Sequence, residues 1–126
     1  VTAPVSAPAA ADPRISSTVR RVETSLRDAV ARLHPEVSPA DVRAARHTID
    51  EAERSLGSLA RDPWDAASLP LRQAREILSS HLLAAAACEG ADVAPPVTAR
   101  VLRRGADSAR RVLASRAASM GAESQD

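Results

Sequence analysis

The sequence contains no Lys, no Phe, no Tyr and no Asn in 126 residues, and only one Cys, one Met and one Trp. Without Phe or Tyr there are no platforms on which the bases of a single strand would stack, so single-strand nucleic-acid recognition is set aside. The lone Cys88 excludes an intramolecular disulfide framework and fits a reducing, cytoplasmic setting. Only four Gly are present, at 57, 90, 105 and 121, and none belongs to a phosphate-cradling loop. The longest apolar run, Leu82–Cys88, is far short of the ~20 residues a membrane span needs. Residues 1–11 have neither a basic start nor an apolar block, so they do not read as a secretory signal.

What replaces the missing types is Ala and Arg, at 28 and 17 residues. Lys, Phe, Tyr and Asn share AT-rich codons, and a GC-rich coding sequence accounts for every basic residue being Arg. Leu, Ile and Val total 25, close to the level at which a highly charged chain stays disordered. The net charge of +1 keeps this chain on the folded side. Its core must then be thin and filled largely by Ala, which points to burial against another protein or a second copy.

The length allows one domain, expected over 12–120 between disordered tails at 1–11 and 121–126. Asp12-Pro13 reads as an N-cap followed by Pro at the first helical position. Ile15, Val19, Val22, Leu26, Ala29 and Leu33 then follow at helical spacing, and Pro35 ends the helix near His34. Ser38-Pro39-Ala40-Asp41 carries a capping box, with Val37 and Val42 placed as a hydrophobic staple. The stripe behind it is Val42, Ala45, Ile49, Ala52, Leu56 and Leu59, and Pro63 closes the segment. A third helix is expected from about Pro70 to Glu89. Its buried arc would be Leu71, Ala74, Ile77, Leu78, His81, Leu82, Ala85 and Cys88, with Gly90 as a left-handed C-cap. A fourth starts at Pro95 or Pro96 and stops at Gly121. Short connections make neighbours antiparallel, so the spacing predicts an all-α, up-down-up-down four-helix bundle.

Residues arranged for chemistry are few. His81 and Cys88 share a face but stand seven residues apart, about 10 Å along a helix, too far to hold one ion together. No G-x-S-x-G elbow is present, and Glu23, Asp28, Asp50, Glu51 and Glu53 lie on polar faces beside arginines. No catalytic residue, cofactor or metal is therefore assigned. One charge feature is organised by position. Arg100, Arg103, Arg104, Arg110 and Arg111 fall within 120° of arc on the fourth helix, interrupted by Asp107, and residues 97–120 carry a net +5. This face is the candidate surface for phosphates or an acidic partner. Trp64, the only aromatic, is the candidate interface anchor if it does not cap the bundle. The expected function is a non-enzymatic bundle acting through protein–protein contacts as accessory, adaptor or regulator. The alternative is a DNA-associated regulator using the arginine face.

Overall fold

The structure is a computed structural model that describes residues 13–60 and 68–125, with side chains described for 14–60 and 68–116. Four helices make it up: α1 (Pro13–Arg32), α2 (Pro39–Leu59), α3 (Leu69–Gly90) and α4 (Pro95–Gln125). Asp12, Trp64 and the tail at 1–11 lie outside the described residues.

Local chemistry accounts for most of the boundaries. Ser38 Oγ accepts the Asp41 backbone N–H at 3.2 Å, and the Asp41 carboxylate accepts the Ser38 N–H at 3.2 Å, closing the capping box. Val37 and Val42 are both buried, as a staple requires. At the end of α1 the Leu33 N–H is shared between the Ala29 and Val30 carbonyls, and His34 Nδ1 accepts the Glu36 N–H in the turn. Two helix ends differ from the sequence reading. Gly90 remains inside α3 without a positive φ, and the left-handed residue of the turn is Asp92 at φ 54°. Asp is among the few side chains that enter this region at low cost. Gly121 does not stop α4, which continues to Gln125. A lone Gly weakens a helix by about 1 kcal/mol but removes no hydrogen bond, and no Pro follows to block the next turn.

The helices pack in the cyclic order α1–α2–α3–α4, with α4 returning to α1 and α3–α4 as the most extensive seam. Arg46 pairs with Glu89 and Glu53 with Arg75, so α2 and α3 are antiparallel. Pro39 and Val42 of α2, Glu89 of α3 and Pro95 and Thr98 of α4 line one shallow pocket, which places two helix starts and one helix end together. The core runs down the middle: Val19, Val22, Leu26, Ala29 and Leu33 from α1 meet Val42, Ala45, Ile49, Ala52 and Leu56 from α2. Among the twenty buried apolar residues described, eight are alanine. Their short side chains let the helix axes approach closely.

The α3 arc is narrower than its sequence pattern. Leu71, Ala74, Leu78 and Ala85 are buried, whereas Ile77, His81, Leu82 and Cys88 are half-exposed at its edges. One position shows how tight the α3–α4 seam is. A Cβ on Gly105 would stand 2.5 Å from His81 Cβ and 2.6 Å from its Cγ. His81 sits in the space that this glycine leaves and bonds through Nδ1 to the Ile77 carbonyl at 2.8 Å.

Candidate interaction surfaces

The arginine row is built by α4 and floored by α1. Arg100, Arg103, Arg104 and Arg111, with Asp107 among them, line an open groove of about 400 Å³ against Val30 of α1. The fifth arginine of the arc is held elsewhere. Arg110 donates to Asp107 Oδ1 at 3.1 Å and keeps only 27% of its side chain exposed, away from the groove lining. Arg111 reaches Asp107 Oδ2 at 3.0 Å and remains 74% exposed. Asp107 therefore bridges two arginines, while Arg100, Arg103 and Arg104 are exposed and have no acidic partner among the described residues. From Arg100 to Arg111 the row spans about 16 Å.

The opposite face of α4 holds a residue that the charge argument overlooked. Arg116 is buried to 7% exposure, on the same arc as Leu102, Ala109 and Leu113. Burial disfavours its charged form and lowers its pKa from the ordinary arginine value. The 100° periodicity was the available signal, because it sets Arg116 about 120–160° from the exposed arginines Arg100, Arg103, Arg104 and Arg111.

A second surface that sequence reasoning missed lies on α3. Leu83 is 72% exposed and is flanked by exposed Ala84, Ala86 and Ala87. From Ile77 to Cys88 the helix carries no Asp, Glu or Arg. Leu83 follows Leu78 by five residues, about 140° around the helix, which already placed it off the buried arc.

Several other titratable groups are held by local contacts. Asp50 pairs with Arg54 at 2.7 Å and Glu51 with His47 at 3.0 Å, both on the exposed side of α2. Glu53 accepts from Arg75 Nε at 3.2 Å across the α2–α3 seam. The Asp41 carboxyl is held below the usual carboxylate range, first by the Ser38 backbone N–H and then by the Ser38 hydroxyl. His81 also borders a shallow groove beside Glu76, Ser80 and Val112. Among the described residues no group of three His, Cys, Asp or Glu is placed to hold a metal, and no helix is long and apolar enough to cross a membrane. Comparison of the chain with protein-family models, curated proteins and solved structures finds no match.

Proposed function

We propose that this chain is a non-enzymatic helical bundle that works through protein–protein contacts, using the outward face of the second half of α3. The observation that carries the reading is Leu83, exposed in the middle of twelve residues without a carboxylate or guanidinium. Solvated helix faces normally carry charge, as those of α1, α2 and α4 do with Arg20, Arg21, Arg43, Glu51 and Arg104. A face of Leu and Ala instead gives a second helix an apolar anchor and allows a short interaxial distance. The thin, alanine-rich core supports the same reading, since it leaves apolar surface to be gained by association.

A second copy of the chain is the simplest occupant, and it gives the test. Light scattering on the intact chain is expected to show a mass above the monomer's 13.2 kDa, and Leu83→Glu to return it to that value with the helical content retained. A monomeric mass at every concentration, with a photo-cross-linker at position 83 capturing no protein, overturns the reading.

A further inference from the structure

The α1–α4 groove presents a charge order along a helix that only certain ligands match. Arg100, Arg104, Asp107 and Arg111 stand at i, i+4, i+7 and i+11, which lie within about 60° of one another on an α-helix. Arg103 widens the row at one side, and the floor beside it is the apolar Val30 of α1. The pattern is thus basic, basic, acidic, basic, in steps of one turn, above an apolar edge.

We propose that this groove is the docking site for an acidic amphipathic helix of a partner protein. A second α-helix laid along the groove repeats the same ~1.5 Å rise per residue, so it stays in step with α4 along the whole row. Carboxylates at its own i, i+4 and i+11 meet Arg100, Arg104 and Arg111, and a basic or neutral side chain at i+7 meets Asp107. Small apolar residues at its edge cover Val30, in the manner of a helix seated in a groove between two others. Two of the arginines that such a helix meets, Arg100 and Arg104, have no acidic partner of their own among the described residues.

A nucleic-acid duplex fits the same row less well. Each strand of DNA carries a phosphate about every 3.4 Å of helix axis, with no gap, so one of them would face the Asp107 carboxylate. Val30 has nothing to offer a phosphodiester. The charge order selects a helix with a matching order.

This inference rests on the preceding reading only in taking the ligand to be protein; it concerns a different face, and Leu83→Glu leaves the arginine row in place. The test uses the intact chain and fluorescence anisotropy. The probe is an alanine-based helical peptide with Glu at i, i+3, i+4 and i+11 and Arg at i+7, made in both chain directions. The controls are a spacing-scrambled peptide of the same composition and a mixed-sequence DNA duplex. At about 50 mM salt, where surface charges are weakly screened, the matched peptide in one direction is expected to bind. Its affinity should fall about tenfold in Arg100→Glu and recover when the facing peptide Glu becomes Arg. Equal binding of the scrambled peptide overturns the proposal in favour of unspecific charge attraction. Binding of the duplex as tight as the matched peptide overturns it in favour of a phosphate site. Absence of matched-peptide binding overturns it outright, whatever Leu83→Glu does to self-association.

Discussion

Gly57, Gly90 and Gly105 all lie within helices and none has a positive φ, so backbone freedom does not explain any of them. Replacement by Ala separates them by what the new methyl group meets. At Gly90 nothing lies within 4 Å, so Gly90→Ala should stabilise the fold, by up to the 0.8–1.0 kcal/mol difference in helix propensity and by about half of it near the frayed end. At Gly57 the methyl meets Arg75 Nε at 2.9 Å, the mobile end of a long side chain. The propensity gain is then offset by disturbance of the exposed Arg75–Glu53 pair, and the net change should stay within about 0.5 kcal/mol. Gly105 differs in kind, because the clash at 2.5 Å is with His81 Cβ, fixed to the α3 backbone. Gly105→Ala should cost about 1–3 kcal/mol, and most of that loss should vanish in a Gly105→Ala/His81→Gly background. Urea denaturation of the three glycine variants, of His81→Gly and of the double variant reads out the order.

Among the elements, α2 has a start that depends on titration. Asp41 accepts both the Ser38 backbone N–H at 3.2 Å and the Ser38 hydroxyl at 2.9 Å, and these bonds hold its pKa below that of the unfolded chain. A depressed carboxyl pKa contributes stability above the unfolded value of about 3.9 and loses it as pH falls through the folded value. Thermal unfolding should therefore show a decline below about pH 4 that is shallower in Asp41→Asn, with the two proteins converging in strong acid. The same helix shows why its boundaries were readable in advance. Its cap, its Pro and its staple act over four or five residues, so neighbours in sequence suffice to place them. The third helix was less readable. Its arc looked wide because Ile77, Leu82 and His81 are apolar enough for a core, yet only two helices flank α3 closely and the outer part of that arc is left half-exposed. Gly90 and Gly121 misled in a similar way, since a glycine permits a helix end without imposing one. Four of the five arginines could be placed together from periodicity alone. That Arg110 turns aside was not legible, because it depends on which rotamer reaches Asp107. Arg116 was legible but was counted as charge before it was placed on the helix.

At the scale of the molecule, charge is distributed against local stability. Residues 97–120 hold six Arg and one Asp, although the chain as a whole carries only +1. Arg100 faces Arg103 at i+3 and Arg104 at i+4, and like charges at both spacings destabilise a helix by about 0.2–0.5 kcal/mol each. A carboxylate at position 100 would reverse both terms, in the favourable order of acid before base. Arg100→Glu is therefore expected to be more stable than the natural chain by about 0.8–2 kcal/mol at low salt, with the gap closing near 1 M salt as the charges are screened. Chemical denaturation at the two ionic strengths measures it, and an unchanged or lowered stability at low salt contradicts the argument. The same substitution removes the first contact of the acidic-helix site. A gain in stability coupled to a loss of peptide binding is the pattern of a surface kept for a ligand, whereas a solvated face with no partner has no reason to retain three unneutralised arginines side by side.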